Sequence, residues 1–229
     1  MEYLQNGYSL HIAPGTFPLS TDSILLADFV KLPKNASVLD LGSGCGTLGL
    51  LLCARDPGCT VTGIELMPDA HTAAMDNIAR NALQSRLSSI CADLRSIPGR
   101  FTPGSFSFCI SNPPYFTGGP ASKTVPNARR DDHCSTKELF QAAAWALRYG
   151  GDFFLVHKPE RLAELCAYAV QFHLEPKRLR LIRHDPEKPV NLILLQCRKG
   201  GKPELVWEEE ALFCADGSPT SFYRTLYHL

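Results

Sequence analysis

The run "SVLDLGSGCG", residues 37–46, constrains the fold more than any other stretch of this chain. Val38, Leu39 and Leu41 read as a short buried strand. It passes without a break into glycines at 42, 44 and 46, and "TLGLLLCARD" follows with the apolar density of a buried helix. Glycine tolerates positive φ and lets a ligand come close to the backbone. A loop that opens onto a helix N-terminus also turns backbone N–H groups toward whatever sits there. The spacing is D-x-G-x-G-x-G, not the G-x-G-x-x-G of a dinucleotide site. Asp40, inside the strand end, would repel a pyrophosphate. It suits a cationic group, such as the amino group of an amino-acid-bearing ligand.

The rest of the chain repeats the strand–helix alternation. "STDSILLADFVKLP" reads as a helix capped by Ser20 or Thr21 and ended by Pro33. "CTVTGIEL", "LSSICADL", "SFSFCISN" and "DFFLVHK" are the second to fifth strands, and "KRLRLIRH" and "VNLILLQCRKG" two more. Between them, "PDAHTAAMDNIARNAL", "TKELFQAAAWALRYGG" and "PERLAELCAYAVQFH" read as helices, the second closed by its glycines. Residues 1–20 look irregular or briefly extended. The expected class is α/β: a Rossmann-like, doubly wound, mostly parallel seven-stranded sheet with one antiparallel strand near the C-terminal end, where two strands follow each other without a helix. One domain over 1–229 is expected, with an N-terminal extension at 1–33 and a C-terminal tail at 200–229.

Composition narrows the function classes. The formal net charge is zero, so a nucleic-acid partner would have to meet a local basic patch. The nine cysteines show no CxxC, no zinc spacing and no disulfide framework, and several lie in apolar runs. With no signal peptide and no apolar run long enough to span a bilayer, a cytoplasmic protein without membrane contact is expected.

Two further acids stand at strand ends. Glu65 closes the second strand and is placed to accept both hydroxyls of a ribose. Asp93, after the third, can accept from an adenine amino group. Glycines alone would make only a tight turn, and acids alone only cap helices. Three acids at the ends of adjacent strands fit S-adenosylmethionine better than NAD.

"SNPPYF" ends the fourth strand. Asn-Pro-Pro is also an ordinary turn, but its place beside the acids argues for chemistry. The nitrogen of a ring-borne or amide amine is a poor nucleophile because its lone pair is delocalised. The Asn112 side-chain oxygen and a backbone carbonyl can each accept one of its N–H bonds and return density to the nitrogen. Pro113 fixes its own φ and pushes Asn112 toward extended geometry, so the Pro113 carbonyl is held still. Pro114 stiffens the turn, and Tyr115 offers a flat face to a base, worth about 1–3 kcal/mol.

In this order, "VLDLGSGCG", "GIEL", "CADL" and "SNPPYF" resemble class I S-adenosylmethionine-dependent methyltransferases of the amino-methylating N-P-P-Y branch. The flanks "FPLSTDSILLADF", "GGDFFLVHKPERLAEL", "EPKRLRLI" and the "DG…FY" close are similar to bacterial tRNA adenine-N6 methyltransferases, from about Phe17 to Tyr227. The resemblance implies that Asp40, Gly42, Ser43, Gly44 and Gly46 hold the methionine part of S-adenosyl-L-methionine. It places Glu65 and Leu66 at the ribose, and Asp93 and Leu94 at the adenine. Asp22, next to Thr21, matches a motif near the cofactor. Asn112, Pro113, Pro114 and Tyr115 would be catalytic, with Asn112 also touching the cofactor. Tyr115, Phe116, Arg129 and Arg130 would meet a tRNA substrate. Ser20 replaces a glycine often found in these proteins, and "ARRD" replaces an "ARHE"-like run.

Between 171 and 202 there are eight basic residues against three acids, a second candidate for phosphate contact or simply a solvated face. Release-factor glutamine methylation, and guanine or DNA-adenine methylation, remain open on the core motif. A non-catalytic RNA-binding module is the alternative of another class.

Overall fold

The computed structural model describes residues 2–4, 7–12, 18–115 and 134–227. A two-stranded ribbon, β1 (Glu2–Tyr3) and β2 (Ser9–Leu10), precedes helix α1 (Thr21–Phe29). Then follow β3 (Ser37–Leu41), α2 (Thr47–Arg55), β4 (Thr60–Glu65), α3 (Pro68–Arg80), β5 (Leu87–Cys91) and β6 (Phe106–Ser111). The second half runs through α4 (Thr136–Ala146), β7 (Leu147–His157), α5 (Leu162–Gln171), β8 (Leu174–Arg183), β9 (Val190–Lys199), β10 (Val206–Ala211) and α6 (Ser221–Tyr227).

β3 to β10 form one sheet in the order β10-β8-β9-β7-β6-β3-β4-β5. Only β9 runs against its neighbours, β7 and β8. The doubly wound, mostly parallel sheet with one reversed strand is as expected. An eighth strand, β10, extends it, paired in parallel with β8. The chain goes outward from β3 through β4 to β5, then crosses to β6 on the other side of β3. That reversal leaves a crevice above the C-terminal ends of β3 and β6.

Both faces of the sheet are covered, and alternate residues show it. Val38, Phe108, Ile110, Phe154, Val156 and Leu194 join α1, α2 and α3 in one core. Leu39, Cys109, Phe153, Leu155 and Leu195 join α4 and α5 in the other. This is why the central strands read as unbroken apolar runs. Phe29 anchors α1, packing edge-on to Phe154 with centroids 6.1 Å apart; full burial of such a ring is worth about 1.5–3 kcal/mol.

Two boundaries differ from the sequence reading. α1 ends at Phe29, before Pro33, because Val30 turns extended and buries its side chain. α4 ends at Ala146, and Gly150 and Gly151 do not close it. They lie in β7, where the pairing with β6 slips from Phe106↔Leu147 to Phe108↔Asp152. Gly150, at φ +76°, makes that bulge.

The opening residues include the brief extended pieces expected, and they are tied to the core. Asn77 on α3 and Asn81, which caps its C-terminus, lie one turn apart and act as a surrogate strand. Asn81 pairs with both backbone groups of Ser9, and Asn77 with both of His11, at 2.7–2.8 Å. Asn77 also donates to the Cys45 carbonyl at 2.9 Å, so the ribbon is tied to the glycine loop. Among the described residues, no helix is long and apolar enough to cross a membrane.

Candidate active site

Asp40 closes the floor of the crevice. It is buried, and neither carboxylate oxygen has a hydrogen-bond partner among the described residues. Burial, with the Glu65 charge adding to it, pushes its pKa up to about 8. A buried carboxylate without a partner is costly, and a cationic ligand group would remove that cost.

The glycine loop turns above Asp40. Gly42 and Gly44 have φ of +76° and +56°, and a Cβ at either would meet nothing within 4 Å. The loop is hung from β4, because the Gly42 and Ser43 N–H groups both donate to the Ile64 carbonyl, at 2.9 and 3.0 Å. Ser43 is buried and packs on Gly63, where a Cβ would fall 2.5 Å from its Oγ. Gly46 caps α2 in left-handed geometry.

Glu65 stands at the end of β4 as expected, but it also works as a brace. Its Oε2 accepts from Gly44 N–H at 2.8 Å and its Oε1 from Met67 N–H at 2.7 Å. Each oxygen keeps a further lone pair. Leu66 follows, half-buried. Asp93 lies just past β5, at the N-cap of a short 3-10 helix that begins at Leu94. Its carboxylate accepts from Arg95 N–H at 2.8 Å and grips the Arg95 guanidinium. An adenine amino group there would share an acceptor already in use.

Asn112 leaves β6 directly across the switch point from Asp40. Its amide Nδ2 donates to Ser23 Oγ at 3.0 Å, and its Oδ1 accepts from the Tyr115 hydroxyl at 2.6 Å. Pro113, Pro114 and Tyr115 are half-buried in the turn. The Tyr115 ring packs against His157, centroids 5.2 Å apart, with Lys158 Nζ 5.5 Å from its centre. Burial, then the nearby Asp22 carboxylate, pushes the Tyr115 hydroxyl pKa well up. Asp22 is thus brought to the crevice by the first turn of α1. Phe116, Arg129 and Arg130 lie outside the described residues.

Two residues at the site were not anticipated. His157 ends β7, buried, and burial with Arg161 nearby lowers its pKa to about 4, so it is neutral near pH 7. Its Nδ1 accepts from Lys158 N–H at 2.8 Å. Ser23, buried on α1, is the other. A polar residue on the inner face of an apolar helix was the one available signal for it.

The basic run at 171–202 is drawn inward. Lys177 pairs with Glu204 at 2.8 Å, Arg178 and Arg180 with Glu208 at 3.2 and 2.7 Å, Arg180 also with Asp28 at 2.9 Å, and Arg183 with Glu209. Arg198 pairs with Asp152 at 2.9 Å. Most of this run therefore binds β10 and its neighbours.

Comparison with known proteins agrees with this geometry. The sequence profile of the family "Methyltransferase small domain" matches residues 19–165. A tRNA1(Val) (adenine(37)-N6)-methyltransferase from Shewanella halifaxensis is 33% identical over 159 residues, which is 69% of this chain and 64% of that protein. The chain thus spans less than two thirds of that relative's length. One of the same name from Dickeya chrysanthemi is 30% identical over 190 residues, 82% of this chain and 75% of that protein. In fold, the chain is similar to a predicted O-methyltransferase from Agrobacterium tumefaciens, with TM-score 0.76 and 21% identity over 91% of this chain and 96% of that one. A T. thermophilus 16S rRNA N2 methyltransferase, solved with AdoMet and guanosine, gives 0.60 and 24% over 85% of this chain and 48% of that one. Since the profile runs from α1 into α5, through every strand that borders the crevice, this chain belongs to the methyltransferase small domain family.

Proposed function

We propose that this chain transfers a methyl group from S-adenosylmethionine to the exocyclic N6 of an adenine in a tRNA. The observation that carries the reading is the placement of Asn112 across the switch point from the partnerless Asp40 carboxylate. The names of the relatives support the tRNA adenine over the glutamine, guanine and DNA alternatives.

The residues fit the donor. Asp40 pairs with its amino group, the open space over Gly42 and Gly44 takes its methionine part, and Ser43 and Gly46 shape the loop. Glu65 uses its remaining lone pairs for the ribose, between Leu66 and the Asp93–Leu94 turn. Asp22 closes the cofactor side. When bound, S-adenosylmethionine supplies a methyl carbon on a positively charged sulfur.

On the substrate side, Asn112 Oδ1 and the Pro113 carbonyl accept the two N–H bonds of the adenine amine. This would orient its lone pair toward the donor methyl, whose bond to sulfur breaks as the N–C bond forms and leaves a neutral thioether, and catalysis would come mainly from that positioning. The spare proton leaves to water after transfer. Tyr115 stacks on the base, braced by neutral His157. Phe116, Arg129 and Arg130 contact the surrounding RNA. Nine cysteines with no disulfide framework in their spacing fit a cytoplasmic setting, and the whole chain acts as one domain.

The test is labelled methyl transfer to unmodified tRNA by the wild-type protein and by Asn112→Ala, with cofactor affinity measured by calorimetry. The expected result is loss of transfer with affinity retained. An Asn112→Ala protein that still transfers at the wild-type rate would overturn the mechanism.

A further inference from the structure

We propose that Ser23 is a positioning residue for methyl transfer: it sets the orientation of the Asn112 side-chain amide, so that the oxygen and not the nitrogen faces the incoming amine. This rests on the reading of Asn112 as the amine's acceptor.

A primary amide has nearly the same shape after a half-turn about its last torsion, but the chemistry inverts. With Oδ1 forward, it accepts an N–H from the substrate. With Nδ2 forward, donor faces donor, and the lone pair gains nothing. Something must therefore forbid the flip. Asparagine in a turn is commonly fixed by a backbone N–H two residues on. Here that is impossible, because Pro113 and Pro114 are both without N–H. The same double proline that stiffens the carbonyl removes the two nearest following N–H donors, so a contact from elsewhere in the fold gains weight in setting the orientation.

Among the described residues, two side chains hydrogen-bond the Asn112 amide. Tyr115 donates to Oδ1 at 2.6 Å, but a phenol can accept as readily as donate, so it does not tell the two orientations apart. Ser23 Oγ accepts from Nδ2 at 3.0 Å, from a helix 89 residues away in sequence. Ser20 Oγ lies 3.4 Å from Ser23 Oγ, a hydroxyl pair in which either can donate, and it caps α1 by accepting from Ser23 N–H at 3.3 Å. In the proposal the Ser23 proton is directed at Ser20, so that Ser23 presents lone pairs to Asn112 Nδ2 and Oδ1 is left forward. Ser23 is only 7% exposed, so water does not substitute for it.

The experiment is single-turnover methyl transfer to a valine tRNA transcript at saturating S-adenosylmethionine, with cofactor affinity measured separately. Alanine is a better helix former than serine, and the cap uses the backbone N–H of residue 23, so Ser23→Ala keeps α1. We expect Ser23→Ala to slow transfer by about tenfold or more, as a misaligned reactive group does, and to leave the cofactor dissociation constant within about twofold. Ser23→Thr, which keeps the hydroxyl, is expected to recover most of the rate. Full-rate transfer by Ser23→Ala, loss of cofactor affinity in step with rate, or a Ser23→Thr protein as slow as Ser23→Ala would each overturn the proposal. Asn112→Ala separates the two levels. If it is silent while Ser23→Ala runs at full rate, only the Ser23 inference fails. If Asn112→Ala itself runs at full rate, the acceptor reading fails with it.

Discussion

Asp40 is the residue whose chemistry is most at odds with its surroundings, and that makes it testable. Its pKa rises from an unfolded value of 3.8 to about 8. Between those values the folded protein holds a proton that the unfolded chain has released, so this residue's contribution to stability is complete below pH 3.8 and is lost as pH climbs through about 8. His157 acts in the opposite sense. Its pKa falls from 6.5 to about 4, so its contribution is complete above 6.5 and is lost on acidification toward 4. Above pH 6.5 only the Asp40 slope remains of the two. Thermal melts of the ligand-free protein should therefore fall between pH 6.5 and 8, and Asp40→Asn should flatten that fall. A cationic amino group in the crevice would drive the proton off. Calorimetry at pH 7 in buffers of different ionisation enthalpy should thus show nearly one proton released on S-adenosylmethionine binding, and none for Asp40→Asn. Release of equal size in both proteins would remove Asp40 from that role. Asp40, Glu65 and Asn112 could be found in the sequence because each ends a strand, and strand ends in such a sheet share one rim. His157 carried no such signal, and Ser23 only that of a polar residue on an apolar helix face. Their significance lies in contacts with Asn112 and Tyr115, made across many intervening residues and visible only once α1 and β7 are packed.

At the scale of elements, periodicity placed every central strand and its helix, since both faces of each strand are buried. It failed where two structures share a composition. "ALRYGG" has the glycines of a helix stop, yet Leu147 pairs with Phe106 and the glycines serve a strand bulge. It also said nothing of Asn77, which is fully buried and holds the ribbon and the glycine loop together. Asn77→Ala removes the hydrogen bonds to the His11 N–H, the His11 carbonyl and the Cys45 carbonyl and should cost about 1–3 kcal/mol, read as a lower denaturant midpoint. A change under about 0.5 kcal/mol would show that the ribbon contributes little. The basic run between 171 and 202 was the most misleading element. Its charges were counted along the sequence, while their partners Glu204, Glu208 and Glu209 lie beyond it, on or beside β10. Glu208→Gln weakens the pairing of Arg178 and Arg180 and is expected to lower stability by about 1–2 kcal/mol, given that the pair is only partly buried. Because these arginines hold β10 in our reading, the salt dependence of RNA binding should stay unchanged. A steeper slope would show that Arg178 and Arg180 are available to phosphates after all.

For the whole molecule, the winding of the sheet decides where chemistry can occur. The order β7-β6-β3-β4-β5 puts the glycine loop and the Asn112 turn on either side of one switch point. The acids after β4 and β5 line one flank of it, and α1 closes the top with Asp22 and Ser23. In our proposal these are the two halves of a transfer reaction, the glycine loop a seat for the donor and the Asn112 turn a clamp for the acceptor. On our proposal this crevice methylates the amino group of an adenine in tRNA. The most direct measurement incubates the protein with methyl-labelled S-adenosylmethionine and an unmodified valine tRNA transcript, digests the RNA to nucleosides and separates them. Label is expected in N6-methyladenosine alone. Label in any other nucleoside, or in protein and not RNA, would contradict the proposal.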